Sequence, residues 1–134
     1  MTEEDGVQAA LRANAAFYDA LARGHHDQMA GLWATTTPVS CIHPGGPPIR
    51  GLAPILESWR HIFKNPPEIH FSDAEVQMIR GLAVVTCFEH IEETRLAATN
   101  LFVWEKGQWA IACHQSGPVQ SSQTAFSHST GPLH

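Results

Sequence analysis

The sequence predicts an α+β fold in which N-terminal helices pack on a curved antiparallel sheet, forming a cone with an internal pocket. Three observations predict it. Apolar residues recur at helical spacing through residues 3–23, and β-rich runs joined by tight turns fill the second half. The helices also precede the strands instead of alternating with them, which argues against a parallel sheet.

Residues 3–23 (EEDGVQAALRANAAFYDALAR) read as the first helix. Val7, Leu11, Tyr18 and Leu21 form its stripe, with Ala10 and Phe17 beside them; its acidic start suits the helix dipole, and Gly24 supplies a stop. A short second helix is predicted from Asp27, as N-cap, to Ala34, carrying Met29, Leu32 and Trp33. Residues 38–43 (PVSCIH) form a short strand that ends in the turn Pro44-Gly45-Gly46-Pro47-Pro48. A third helix covers residues 52–63, with Pro54 in its first turn, an apolar stripe of Ile55, Trp59, Ile62 and Phe63, and Asn65-Pro66-Pro67 ending it. Strands are predicted at 69–79, 82–93, 95–105 and 108–115, with turns at Arg80-Gly81 and Lys106-Gly107, the pattern of an antiparallel meander. Residues 1–118 are thus one cone domain. Residues 119–134, within a Ser/Thr/Gln/Gly/Pro-rich stretch that begins at 117, are a loosely ordered tail on which Phe126 could dock.

With 134 residues, 43% of them hydrophobic and 16% charged, the chain is one globular domain with its own core. The net charge is −5 and the 8 Lys and Arg are scattered singly, so a nucleic-acid partner is not expected. No apolar run approaches the ~20 residues of a membrane span. The acidic first residues lack a signal peptide's basic start and apolar core, and Cys41, Cys87 and Cys113 are far apart and read as reduced thiols; a cytoplasmic location is expected.

Alternation sorts strand side chains to two faces. Ala98, Asn100, Phe102 and Trp104 share one face of their strand, as do Ala110, Ala112, His114 and Ser116 of the next. The opposite faces (Ala97, Thr99, Leu101, Val103; Trp109, Ile111, Cys113) are also largely apolar, so both sides of the sheet need cover. Helices cover one side and a second copy of the chain is expected on the other.

Against this apolar background a few polar groups stand out. Asn100, His114, Tyr18, His43 and Glu89 sit singly in apolar runs, and each needs a partner or a ligand if buried. Each also has a plainer reading: Asn100 as a tie between strands, His114 as a hydrogen-bonded core histidine, His43 as a turn former before Pro44, Tyr18 and the tryptophans as packing, and Glu89 as facing water or a dimer interface. Cys41, His43, Cys113 and His114 match the donor count of a zinc site, but adjacent strand residues point to opposite faces, so no metal is expected. No Ser-His-Asp or Cys-His nucleophile and no phosphate-cradling loop is evident, and no cofactor is expected.

The order helix, helix, short strand, helix and four-stranded meander resembles the cystatin-like cone, also called the nuclear transport factor 2-like fold. The runs Ala13–Leu21 (ANAAFYDAL), Cys41-Ile42-His43-Pro44-Gly45, Ser58–Phe63 (SWRHIF), Ala98-Thr99-Asn100-Leu101-Phe102 and Trp109–Ser116 resemble SnoaL-like and ketosteroid-isomerase-like proteins. The resemblance spans residues 5–118. It implies the fold, but that fold hosts isomerases, cyclases, dehydratases, hydrolases and association domains alike. Isomerases of this superfamily place a carboxylate base at the end of the first strand, where this chain has Ser40, Cys41 and His43. No second acid able to donate to a substrate oxygen is evident, and Cys113-His114 stands where a subgroup carries paired histidines.

Two functional readings remain. In the first, the protein is a SnoaL-like isomerase, cyclase or dehydratase acting on a small carbonyl-containing metabolite. His43 or His114 is the catalytic acid or base, Asn100 and Tyr18 donate to a developing oxyanion, Trp33 and Trp59 wall the pocket, and Ser116 completes the binding set. That reading requires the two histidines to lie within ~10 Å of each other. In the second, the chain is a non-catalytic dimeric binding or association module.

Overall fold

The computed structural model describes residues 2–120. The chain runs α1 (Glu3–Arg23), α2 (His26–Ala30), β1 (Ser40–Ile42), β2 (Ile49–Arg50), α3 (Leu52–Ile62), β3 (Ile69–Ile79), β4 (Leu82–Ile91), β5 (Thr94–Glu105) and β6 (Gln108–Pro118). The strands form one curved, open six-stranded sheet in the order β2-β1-β6-β5-β4-β3. Every ladder is antiparallel except β1 against β6, so the sheet is mixed where the sequence predicted an antiparallel one.

Helix α1 starts at a capping box, with Thr2 and Asp5 satisfying each other's backbone N–H groups. It stops at Gly24, whose left-handed φ of 64° lets its N–H reach back to Ala20 and Leu21. A Cβ there would lie 2.8 Å from Pro66, so the glycine also lets the loop after α3 close on α1.

Several boundaries differ from the sequence reading. Helix α2 is capped by His25, whose ring accepts from the Gln28 amide, and ends at Ala30; Trp33 and Ala34 instead bond along Ile111 of β6. An unpredicted strand, β2, pairs with β1. β6 runs three residues past Gln115 because Gly117 and Pro118 stay in register with Ala97 and Leu96, and Val119 N–H still reaches Arg95 O. The rest of the predicted tail, with Phe126, lies outside the described residues.

Two irregularities bend the sheet. Asp73, at φ 58°, marks a register shift in β3, and a second shift separates Leu101 from Phe102 in β5. The second leaves Ala112 of β6 unpaired, between Cys113 opposite Leu101 and Ile111 opposite Phe102; Trp104, expected beside Phe102 in the core, is 47% exposed and lies at the rim with Arg12 and Ala13 of α1. The core lies between α1, α3 and the concave face, around Phe17, Met29, Ile55, Trp59, Val85, Phe102 and Ile111. On the convex face Val84, Phe88 and Leu101 are only partly buried.

The loop after α2 is tied down by one carboxylate. Glu105 accepts from the Thr35 amide at 2.7 Å, the Thr36 hydroxyl at 2.6 Å and the Thr37 hydroxyl at 3.0 Å. The Thr36 hydroxyl, then the Thr35 amide, hold its carboxyl down at about 2. A depressed carboxylate contributes stability that is present above its unfolded value and lost as pH falls through the folded one. Urea midpoints should therefore show wild type more stable than Glu105→Gln at pH 7, with the gap closing between pH 4.5 and about 2. An unchanged gap across that window refutes the clamp.

Candidate acid–base site

The apolar stripe that seats α1 on the sheet also carries Asn14 and Tyr18, one turn apart on its buried face. Asn100 and His114 are direct cross-strand partners in β5 and β6. Val85 is Asn100's partner on β4, and alternation from Ala83 through Val85 and Cys87 brings Glu89 to the same concave face. Parallel pairing of Cys41 with His114 carries the chain onward so that His43 emerges beside the end of β6.

These residues form one connected chain of hydrogen bonds. Asn100 Nδ2 donates to Asn14 Oδ1 at 2.9 Å and to the Tyr18 hydroxyl at 3.1 Å. The Tyr18 hydroxyl donates to Glu89 Oε2 at 2.5 Å and accepts from the Cys87 thiol at 3.5 Å. With both Asn100 hydrogens committed, its Oδ1 must accept the 2.6 Å bond from His114 Nδ1–H. That bond fixes the tautomer: His114 Nε2 carries the lone pair, and it lies 4.0 Å from Glu89 Oε2. Asn14, Glu89, Asn100, His114 and Ser116 are all buried, none more than 3% exposed.

His43 is held by the same logic. Ser58 Oγ gives its hydrogen to Ile55 O at 2.6 Å, so the 2.9 Å contact with His43 Nε2 is an N–H donated to Ser58. The His43 ring stands edge-on to Trp59 at 4.7 Å, and its centroid is 6.5 Å from that of His114.

Burial decides the charge states. Desolvation lowers the His114 imidazole to about 3, with His43 opposing its charge as well, and desolvation lowers His43. Desolvation raises the Glu89 carboxyl, and it raises Tyr18 and Cys87 and pushes Cys41 to about 12. Both histidines are therefore neutral at pH 7, and the thiols Cys41 and Cys87 stay protonated and un-nucleophilic. Burial thus moves His114 toward its neutral base form and Glu89 toward its protonated form.

A cavity of about 160 Å³ opens onto this pair, with His43, Trp59, Ile62, Ile69 and Ser116 in its wall. A larger, shallower depression of about 360 Å³ lies between α1 and the β5–β6 hairpin at Arg12, Trp104 and Trp109, but it holds no acid–base pair. Among the described residues no three His, Cys, Asp or Glu side chains are placed to hold a metal ion.

Of the seven residues singled out from the sequence, four reach the cavity: His43, Trp59, His114 and Ser116. Tyr18 and Asn100 stand behind it. Their donor hydrogens are committed to Glu89, Asn14 and each other, so they orient Glu89 and His114 and have none left for a ligand. Trp33 does not wall this cavity; it lines a separate depression with Thr35, Glu105 and Lys106. Glu89, singled out as an isolated polar group and also weighed as facing water or an interface, is buried and lines the cavity. Alternation along Ala83, Val85 and Cys87 is the signal that points it inward. Asn14 was legible only as an α1 residue one turn before Tyr18, and Ser58 carried no signal of its own.

The opposite shifts of Glu89 and His114 make stability fall at both ends of the pH range. A raised carboxyl contributes stability that is present below its unfolded value and lost as pH rises through the folded one. A lowered histidine costs stability as pH falls below 6.5 toward about 3, because only the unfolded chain protonates freely there. Glu89→Gln should flatten the alkaline limb, gaining stability relative to wild type as pH rises above the ordinary carboxylate range. His114→Asn should flatten the acid limb. Chemical denaturation at half-unit pH intervals reads both, and limbs that survive these substitutions disprove the assignment.

A family model described as the SnoaL-like domain matches residues 10–120. The chain is 31% identical to a proposed dehydratase of the nuclear transport factor 2-like family from Streptomyces avermitilis; the match covers 90% of this chain and 100% of that one, with a TM-score of 0.82. It is 27% identical to a proposed calcium/calmodulin-dependent protein kinase type II association domain from Thiobacillus denitrificans, over 81% of this chain and 93% of that one, with a TM-score of 0.66. It is also 24% identical to the F-box protein SKIP8 of Arabidopsis thaliana over 82% of its own length, and spans about half, 49%, of that relative. Matched along most of its length and built on that cone, the chain belongs to the SnoaL-like domain family.

Proposed function

We propose that the protein catalyses proton transfer on a small carbonyl compound, as a dehydratase or double-bond isomerase, with His114 as base and Glu89 as acid. The observation that carries this is the tautomer set by Asn100, which leaves a lone pair on His114 Nε2 at 4.0 Å from a carboxyl that burial shifts toward its protonated form. In a dehydration, His114 Nε2 removes the proton next to the carbonyl while Glu89 gives its proton to the departing hydroxyl, which leaves as water. The pair, now imidazolium and carboxylate, resets when the Nε2 proton passes to Glu89. In an isomerisation, the captured proton returns to the far carbon of the shifting double bond. His43, held by Ser58, and Trp59 complete the wall. Similarity to a proposed dehydratase supports the first reaction.

The test is a panel of β-hydroxy and β,γ-unsaturated ketones, followed by the absorbance of the conjugated product. His114→Ala should lower kcat by about 10²–10⁴-fold, and Glu89→Gln by about 10²-fold or more. Wild-type activity should fall as pH rises through the elevated Glu89 value. Turnover that survives both substitutions excludes the pair.

A second reading, association, is supported by the likeness to an association domain and by the convex face, where Val84 and Leu101 are cross-strand partners and Phe88 lies beyond the Thr86–Thr99 pair, all three only partly buried. A second copy of the chain covers this face. The unbridged thiols Cys41, Cys87 and Cys113 support a reducing, cytoplasmic setting. Light scattering should return a dimer for wild type and a monomer for Leu101→Glu; a wild-type monomer excludes this interface.

A further inference from the structure

We propose that the ligand is an uncharged carbonyl compound no larger than about one six-membered ring, held with its oxygen against Ser116 and Trp59. The proposal rests on the proton-transfer reading for the carbonyl, while the limits on size and charge come from the cavity alone.

Size is set by volume. The space is about 160 Å³, and a cavity of ~150 Å³ is known to hold benzene. A fused polycyclic ligand would have to leave most of its rings outside the space between Trp59, Ile62, Ile69 and Ile91.

Charge is set by what the wall lacks. Among the described residues no Lys or Arg lines the cavity, although its chemistry centres on a carboxyl group. An anion entering here meets Glu89 and finds no counter-ion, since burial keeps both histidines neutral. A carboxylate or phosphate gives up its hydration for nothing in return. A cation meets the same mostly apolar wall, with Glu89 already engaged by Tyr18.

Orientation is set by donors without acceptors. Of the five buried side-chain atoms without a hydrogen-bond partner among the described residues, two, Ser116 Oγ and Trp59 Nε1, belong to residues of this cavity wall. Ser116 lies close enough to Glu89 to favour its ionised form, yet makes no bond of normal length to it. Two such donors at a cavity that holds an acid and a base call for an acceptor atom on the ligand. A carbonyl oxygen supplies both lone pairs, and polarising it acidifies the neighbouring C–H within reach of His114.

The experiment uses three probes with the full-length protein at pH 7: cyclohexanone, cyclohexanecarboxylate and a four-ring steroid ketone. Calorimetry should find cyclohexanone bound, the carboxylate at least tenfold weaker and the steroid unbound. Ser116→Ala and Trp59→Phe should each weaken cyclohexanone by about three- to tenfold, the effect of one lost hydrogen bond. Proton–nitrogen NMR should show the Trp59 indole signal moving on binding. A carboxylate bound as tightly as the ketone, a bound steroid, or no binding of any probe at 10 mM overturns the ligand class. Exchange of the ketone's α-hydrogens in D₂O tests the chemistry separately. Binding without exchange that depends on His114 leaves the ligand class standing and removes the proton-transfer reading.

Discussion

Five polar side chains lie in the interior of a small apolar cone, and four of them, Asn14, Glu89, Asn100 and His114, are organised by hydrogen bonds among themselves and Tyr18 or by close approach. Asn100 is the hub. Its amide hydrogens reach Asn14 and Tyr18 on α1, and its oxygen receives the His114 ring. A hydrogen bond has direction where an apolar contact does not, so this one residue sets both the register of α1 on the sheet and the rotation of the His114 ring. An apolar isostere at position 100 would leave Asn14 Oδ1 and His114 Nδ1 unsatisfied together, at a cost of about 1–3 kcal/mol for each buried orphan.

The same burial that demands pairing also creates the chemistry. Exposed, a glutamate beside a histidine at neutral pH would settle as an ion pair of small worth. Out of water the charged forms are penalised, and the pair shifts toward neutral acid and neutral base. Tyr18 moderates this by donating to Glu89, which partly favours the carboxylate and keeps the proton transferable. A site of this kind gives up stability at both extremes of pH in return for a proton that can move.

The fold was legible because its signals are local and repeated. The stripe on α1, the prolines and glycines that punctuate residues 44–51, and the two-residue turns of the meander each follow from nearest neighbours in the chain. What escaped was non-local. The short β2 exists only as β1's partner, and β6 outlasts its apolar run because β5 continues beside it. The shift that leaves Ala112 unpaired between the partners of Leu101 and Phe102 is announced by no residue in that run. The site was half legible for a related reason. Isolated polar residues in apolar strands marked Asn100, His114 and Glu89, but their roles depend on which atom is already engaged. Asn100 and Tyr18, read as donors to a ligand, are occupied within the protein. Glu89 seemed ambiguous because its immediate neighbours, Phe88 and His90, point the other way; counting by twos from Ala83 resolves it.

That alternation also bears on how catalysis and association can share so small a domain. Phe88 and Glu89 are adjacent in β4, one turned to the convex face and the other to the cavity, and Leu101 and Asn100 repeat the arrangement in β5. The two surfaces therefore use different side chains of the same strands. A second copy covering Val84, Phe88 and Leu101 would touch none of the cavity wall, and a ligand beside His114 would touch none of the convex face. What the two surfaces share is the β4–β5 ladder, whose register sets the spacing of Glu89 from the Asn100–His114 pair. The two readings are therefore not exclusive, and covering the convex face would make a one-residue slip of that ladder costlier, because a slip sends Glu89 outward and Phe88 into the cavity.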